Sequence, residues 1–308
     1  MRRLFPFILL ALPSLPLASG CFGSVRADFD LSGSEGTTVF EAEKNFAATT
    51  IDDRYRIFNN AWNAKASAGP YRQKIFVKQS NGKPIFGWVW KWWGGGTDVA
   101  SYPEIQVGNS PWAGEVAPNS GFPFRVGTKK LVADFDVSMR ASGSYDLAFE
   151  FWTVSSPTVS KAGITHEVMI WLAENRLGPA GSLAATATIA GNQFHIYFAN
   201  NHGDASGGSS NTWTIISLLA AKPILHGPLD VGAIIDYLLQ KRLLDGNVYV
   251  ACLELGNEVA SGSGKTEVRN YAVRVESPRE IAQRRPGCYK LGHGTRWSLD
   301  WAFRLGTA

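Results

Sequence analysis

Histidine, cysteine and methionine are scarce in this chain, which has five, three and three of them among 308 residues. The histidines show no metal-ligand spacing, so we expect neither a metal site nor any other cofactor. Residues 263–266 look like the end of a phosphate-binding loop, but Val259 stands where its first glycine is needed. No Gly-x-Ser-x-Gly elbow precedes a helix, which argues against a serine nucleophile of that kind.

Basic charge is also lacking over most of the chain. The net charge is +4, but residues 1–20 contribute two positive charges and residues 277–308 a net four. Residues 21–276 therefore carry a net charge of −2 and have no global basic field. This argues against nucleic acid as a partner.

The apolar run near the start of the chain is too short to cross a bilayer. Arg2 and Arg3 precede the apolar residues 5–17, which two prolines interrupt, and the small residues 18–20 follow. This pattern is typical of a secretion signal. We therefore interpret residues 1–20 as a signal peptide and expect a secreted, extracellular protein.

The three cysteines leave two questions open. Cys21 directly follows the signal and resembles the cysteine of a bacterial lipobox, so a lipid anchor at the cell surface is the alternative to simple secretion. Cys252 and Cys288 could pair in an oxidising compartment. A buried free thiol at Cys252 is at least as compatible with its place within a strand.

A carboxylate stands within an apolar run at residues 165–172. Side chains alternate across a strand, so Glu167, Met169 and Trp171 should share one face. A glutamate between Met and Trp is costly in its charged form unless it is hydrogen-bonded or functional. The alternative is an edge-strand glutamate that points to water.

A second stretch, residues 253–264, ends an apolar strand in a carboxylate, Glu258, between glycines. Together the two stretches resemble glycoside hydrolase family 12. Residues 167–171 match the family's nucleophile strand, E-[IL]-M-I-W, and residues 256–264 match its acid/base segment, G-T-E-P-F-T-G-S-G. The resemblance implies a jelly roll of two curved antiparallel sheets. It also implies a retaining endo-β-1,4-glucanase with Glu167 as nucleophile and Glu258 as acid/base.

The resemblance extends to further positions. Asp146, in a Tyr-Asp-Leu match, is implied to accept a hydrogen bond near the nucleophile and to support it. Glu254 lies four residues before Glu258, about 13 Å along a strand, and is therefore a subsite group rather than its rival. Asn60 and Trp62 match N-N-x-W, although Asn63 replaces the glycine that follows in the family. The implied substrate-binding residues are Asn60, Trp62, Trp90, Met169, Trp171 and Glu254.

Strand-like segments with Gly, Pro and Asn turns dominate residues 54–276, which predicts an all-β antiparallel sandwich or jelly roll. One helix is expected near residues 230–245, because apolar residues recur there at helical spacing. Asp230 is its predicted N-cap and Gly246 lies past its end. We divide the chain into the signal (1–20), a linker (21–50), a catalytic domain (51–276) and a basic tail (277–308), and expect a monomer.

Three functions remain open at this stage. The first is an endo-β-1,4-glucanase acting on cellulose-type β-glucan. The second is the same chemistry on xyloglucan or mixed-linkage glucan. The third is a glycan-binding jelly roll without catalysis, which would need aromatic side chains but no paired glutamates.

Overall fold

The computed structural model describes residues 35–94 and 98–277. The predicted signal peptide, Cys21, Cys288 and the basic tail beyond residue 277 lie outside these ranges. The interpretations of those segments therefore stay predictions.

Within the described ranges the regular secondary structure is almost entirely β-strand. Its strands are β1 (Thr37–Ala42), β2 (Ala48–Ile51), β3 (Tyr55–Phe58), β4 (Tyr71–Ser80), β5 (Lys83–Trp92), β6 (Glu104–Ser110), β7 (Gly114–Glu115), β8 (Phe124–Arg125), β9 (Lys130–Val154), β10 (Ile164–Asn175), β11 (Ser182–Ile189), β12 (Asn192–Gly203), β13 (Thr212–Ala220), β14 (Leu229–Asp230), β15 (Tyr249–Val250), β16 (Cys252–Gly256) and β17 (Val259–Glu276). One α-helix, α1 (Val231–Gln240), and two 3₁₀ turns, Ala64–Ala66 and Lys161–Gly163, accompany them.

The strands form two sheets that share the long strand β9. The front sheet has the order β2-β3-β6-β16-β9-β10-β13-β12-β11, and the back sheet has the order β1-β4-β5-β17-β9-β14. Pairing is antiparallel except between β10 and β13. Residues 130–145 of β9 pair with β17, and residues 145–154 pair with β10. This architecture confirms the predicted all-β jelly roll.

The core lies between the two sheets, and strand alternation supplies its side chains. Leu147, Phe149 and Phe151 of β9 point into it, as do alternate residues of β10. Trp88 and Trp90 of β5 are fully buried in the same core. The prediction that Trp90 binds substrate is therefore wrong, because this face of β5 packs against the core rather than the solvent.

The predicted helix is confirmed. The Asp230 side chain accepts a hydrogen bond from the Ala233 backbone N–H at 2.9 Å and so caps α1 as expected. Ile234, Ile235 and Leu238 bury the apolar stripe. The helix ends at Gln240, earlier than Gly246 suggested.

The interpretation of residues 21–50 as a linker is wrong from Thr37 onward. Strand β1 pairs with β4, and β2 pairs with β3, so both belong to the sandwich. Both strands leave most of their side chains exposed or half-buried. Their mixed composition therefore conceals their secondary structure.

Two further features bear on the open questions. Among the described residues, no helix has both the length and the apolar character needed to span a membrane. Cys252 is fully buried at the start of β16 and forms no disulfide with any residue that the structure describes.

Candidate active site

A cleft of about 590 Å³ lies on the front sheet. Alternate residues of neighbouring strands form its floor: Glu150 and Trp152 of β9 lie beside Glu167, Met169 and Trp171 of β10. The predicted shared face of the last three residues is therefore the cleft face. Glu258, at the start of the β16–β17 connection, lines the same cleft.

Strand register places a row of five side chains across the floor of the cleft, four of them polar. Met169, Glu150, Glu254, Gln106 and Arg56 are successive cross-strand neighbours on β10, β9, β16, β6 and β3. Arg56 Nε donates to Gln106 Oε1 at 2.8 Å, and Gln106 Nε2 donates to Glu254 Oε1 at 3.0 Å. The row thus connects a guanidinium to a buried carboxylate of the cleft.

Glu167 is buried and held by an indole. Trp213 Nε1 donates to Glu167 Oε2 at 2.6 Å. Burial raises the pKa of Glu167, and the negative charge of Glu258 raises it further, whereas the Trp213 hydrogen bond lowers it. The carboxyl is therefore both desolvated and coupled to a second acid.

Glu258 is anchored through its backbone by Asp146 of β9. Its N–H donates to Asp146 Oδ1 at 2.8 Å, and its C=O accepts from the Asp146 N–H at 3.0 Å. Burial raises the pKa of Glu258, whereas the hydrogen bond with Asp146 lowers it. Burial also raises the pKa of Asp146 well above its usual range, with Glu258 as the next contribution.

The partner predicted for Asp146 is therefore wrong. Its place in β9 lies opposite Glu174 of β10, seven residues past Glu167. The hydrogen bonds of Asp146 go to Glu258, so it supports the proposed acid/base rather than the proposed nucleophile.

Five of the six predicted substrate-binding residues line the cleft. Asn60 Nδ2 donates to Glu104 Oε1 at 2.9 Å, which fixes the amide at the cleft wall. Trp62 is half-buried and keeps part of its ring accessible. The remaining three are buried in the floor: Met169, Trp171 and Glu254. Trp90, the sixth, is in the core.

Several cleft residues are not among those predicted from the sequence. Glu150 lies in a Phe-Glu-Phe-Trp run, the same signal of a carboxylate among apolar residues that drew attention to Glu167. Trp112, Trp152 and Trp213 form an indole cluster, with ring centroids 5.4–5.8 Å apart and edge-on geometry. They come from three separate segments, so no local pattern links them. The missed residues are Glu104, Glu150, Trp112, Trp152, Trp213 and His202.

The additional acids are also strongly perturbed. Burial raises the pKa of Glu150 well above its usual range, with Glu167 and then Glu254 as the next contributions. Burial likewise raises the pKa of Glu254, which accepts hydrogen bonds from Gln106 Nε2 and, at 3.2 Å, from Trp152 Nε1. Clustered, buried carboxyls of this kind stay protonated closer to neutral pH than isolated carboxyls do, which suits acid–base chemistry.

The described residues contain no group of three or more His, Cys, Asp or Glu side chains placed to hold a metal ion. What the cleft offers is a pair of perturbed carboxyls, Glu167 and Glu258, on separate elements facing one open space. Such a pair can divide the roles of proton donor and nucleophile in glycoside hydrolysis.

Comparison with known proteins agrees with the fold. The model of glycosyl hydrolase family 12 matches residues 53–276. Endoglucanase S of Pectobacterium parmentieri is 26% identical over 228 residues, which cover 73% of this chain and 83% of that protein. Inactive glycoside hydrolase XLP1 of Phytophthora nicotianae is 27% identical over 72% of this chain and 87% of its own length. The crystal structure of a family 12 xyloglucanase from Bacillus licheniformis is 29% identical, with a TM-score of 0.69, over 77% of this chain and all of that one.

Proposed function

The chain belongs to glycosyl hydrolase family 12, and from that premise we propose that it is a secreted, retaining endo-β-1,4-glucanase that cleaves internal bonds of cellulose-type glucans. The observation that carries this proposal is that Glu167 and Glu258 line the same cleft, on elements on either side of β9. A retaining enzyme needs two carboxyl groups ~5–5.5 Å apart across the scissile bond.

In the first step Glu167 attacks the anomeric carbon and forms a glycosyl ester. Glu258 donates its proton to the oxygen that leaves with the rest of the glucan. The bond between that oxygen and the anomeric carbon breaks as the ester bond forms. Burial raises the pKa of Glu167 to about 8 and that of Glu258 to about 7, so the pair retains a proton near neutral pH. The step proceeds from the form in which Glu258 carries that proton and Glu167 is ionised.

In the second step a water molecule releases the sugar. The ester removes the negative charge of Glu167, and loss of a neighbouring negative charge favours ionisation of Glu258. Glu258 then takes a proton from the water that attacks the anomeric carbon. Glu167 returns as a carboxylate, and the product keeps its anomeric configuration.

Aromatic and polar side chains of the cleft would hold the glucan chain. Trp62 offers the accessible part of its ring for stacking against a sugar face. Met169 and Trp171 form the apolar floor beside Glu167. Asn60 and Glu254 supply polar groups to sugar hydroxyls. The signal peptide, the lipid anchor at Cys21 and the monomeric state stay expectations from the sequence.

Xyloglucan is the second candidate substrate. It is favoured by the likeness to the Bacillus licheniformis structure, which is that of a family 12 xyloglucanase. A glycan-binding role without hydrolysis is raised by the Phytophthora nicotianae relative, which is named as inactive. The presence of both Glu167 and Glu258 in one cleft supports catalysis in this chain.

A substrate panel tests these alternatives. The purified protein is incubated with β-1,4-glucan, xyloglucan, lichenan and carboxymethylcellulose, and reducing sugar and product anomer are followed. We expect fastest release from unbranched β-1,4-glucan and initial formation of the β-anomer. Fastest release from xyloglucan would favour the second candidate, an initial α-anomer would contradict retention, and no release from any glucan would favour binding alone.

Two variants test the assigned roles. Glu167→Gln should lose about 10⁴-fold in turnover, because the amide cannot form the ester. Glu258→Ala should lose far less on aryl glycosides with good leaving groups, which need little proton donation, than on polysaccharide. Full activity in the first variant, or equal losses on both substrate types in the second, would contradict the roles.

A further inference from the structure

The indole cluster presents N–H groups to two carboxylates of the cleft. Trp213 Nε1 donates to Glu167 Oε2 at 2.6 Å, and Trp152 Nε1 donates to Glu254 Oε2 at 3.2 Å. Trp112 packs edge-on against both rings, with its centroid 5.8 Å from that of Trp213. The three rings therefore fix one another, and two of them fix acids.

The hydrogen bond from Trp213 distinguishes the two oxygens of Glu167. Oε2 accepts the indole proton, whereas Oε1 accepts no hydrogen bond from the described residues. An indole N–H can only donate, so it is compatible with a lone pair on Oε2 and not with a proton there. This contact favours the ionised carboxylate and leaves Oε1 free to react.

His202 is the rival partner of the same oxygen. Its Nε2 lies 4.0 Å from Glu167 Oε2, beyond hydrogen-bond distance. Burial lowers the pKa of His202, so at neutral pH it carries no charge to offset that of Glu167. The other charged groups facing Glu167 are acids: Glu258 from the β16–β17 connection, Glu254 from β16 and Glu150 from β9. Trp213 is thus the group that stabilises the carboxylate against them.

We propose that Trp213 is a positioning residue that favours the ionised form of Glu167 and turns its Oε1 toward the anomeric carbon. This inference rests on the proposed role of Glu167 as nucleophile. Because Trp213 lies in β13, this strand takes part in the reaction in addition to the elements that carry Glu167 and Glu258.

The test is the pH profile of kcat/KM in Trp213→Phe. The variant keeps an aromatic ring but loses the N–H, so the ionised form of Glu167 is less stable and its pKa rises. We expect the acid limb to move up by about one pH unit and kcat to fall about 10- to 100-fold, as for loss of a hydrogen bond to a charged group. KM should change little. An unmoved acid limb would overturn the proposal.

Two matched variants separate this effect from packing. Trp112→Phe removes an indole from the same cluster without removing a donor to Glu167, and His202→Gln changes the rival partner. Neither should move the acid limb, whatever its effect on KM. A shift in Trp112→Phe equal to that in Trp213→Phe would assign the effect to packing and overturn the proposal.

A second measurement does not depend on activity or on Trp213→Phe being folded. In protein labelled with ¹⁵N-tryptophan, Glu167→Gln should shift one indole N–H resonance, because the charged acceptor of Trp213 is lost. Unchanged indole resonances would overturn the inference. If Glu167→Gln shows this shift but the wild-type protein hydrolyses no glucan, the proposed function fails while the contact stands.

Discussion

At the scale of single residues, the number of hydrogen-bond donors distinguishes the acids of the cleft. Glu254 accepts from at least two donors, Gln106 and Trp152, and Glu167 accepts from Trp213. Glu150 lies between them and accepts no hydrogen bond from the described residues, although it is nearly as buried. Donors stabilise the charged form, so a proton shared in this cluster favours Glu150.

Burial also distinguishes Trp62 from Trp90, although the sequence predicted both to bind substrate. Trp62→Ala should raise KM roughly tenfold and leave the melting temperature nearly unchanged, because the half-buried ring serves sugar stacking. Trp90→Ala should cost about 3–5 kcal/mol of stability, because it empties a core site. Steady-state kinetics and chemical denaturation of both variants check this. A stability loss in Trp62→Ala as large as that in Trp90→Ala would place both rings in the core.

The alternation of side chains along a strand predicted which residues of β10 share the cleft face. It could not show whether Trp88, Trp90 and Trp92 of β5 face the core or the solvent. Alternation shows only that these three share a face. Which side of the back sheet faces the core depends on how the two sheets stack, and no local pattern encodes that. Glu150 could have been found by the signal used for Glu167, a carboxylate within an apolar strand. The contact between Trp213 and Glu167 could not have been predicted from a local pattern, because it depends on the parallel pairing of β13 with β10.

At the scale of elements, the β16–β17 connection is held by Asn257, the residue before Glu258. Asn257 Oδ1 accepts from Trp88 Nε1 at 2.7 Å and from Thr266 Oγ1 at 2.7 Å, and its Nδ2 donates to the Asp146 backbone carbonyl. One buried amide therefore joins β5, β9 and β17 beneath the proposed acid/base.

Asn257→Ala should disturb both stability and catalysis. The change leaves the buried N–H of Trp88 and the hydroxyl of Thr266 without their acceptor, which should cost about 1–3 kcal/mol. Displacement of Glu258 should reduce kcat on polysaccharide about 10- to 100-fold. Denaturation and kinetics measure the two effects. Thr266→Val, which removes one of these hydrogen bonds and nearly preserves shape, is the control and should lose less in both. Unchanged kcat in Asn257→Ala would show that the connection holds its shape without the amide.

In the sequence, β9 resembles two strands, residues 130–139 and 144–154, with a glycine-containing turn between them. In the structure the strand is continuous through Gly143, which pairs with Gly262 of β17. Both glycines have positive φ, and a Cβ on either would lie within 2.4 Å of the partner strand's backbone. The glycine pair therefore permits close strand contact where β9 passes between the sheets, whereas in sequence the same glycine resembles a turn.

At the scale of the whole molecule, the front sheet buries several acids that a folded protein must accommodate. Burial raises the pKa of each one above the value of about 4 that it has in an unfolded chain. These acids are Glu104, Asp146, Glu150, Glu167, Glu254 and Glu258. They occupy one side of the sandwich, so their charges also repel one another.

This arrangement predicts that stability falls as pH rises. An acid whose pKa is raised by folding contributes stability that is fully present below its unfolded pKa and lost as pH rises through its folded pKa. Each unit of elevation amounts to about 1.4 kcal/mol. The free energy of unfolding, from urea titrations at pH 5, 7 and 9, should therefore decrease across the series.

Two variants test the cause of this pH dependence. Glu150→Gln has nearly the shape of the protonated glutamate but cannot ionise, so it should flatten that slope by stabilising the protein most at pH 9. Glu43→Gln, which alters an exposed ion pair with Arg72, should leave the slope unchanged. Stability that increases from pH 5 to pH 9 would mean that the folded protein holds these carboxyls ionised without cost, and the pH range inferred for the catalytic pair would then be wrong as well.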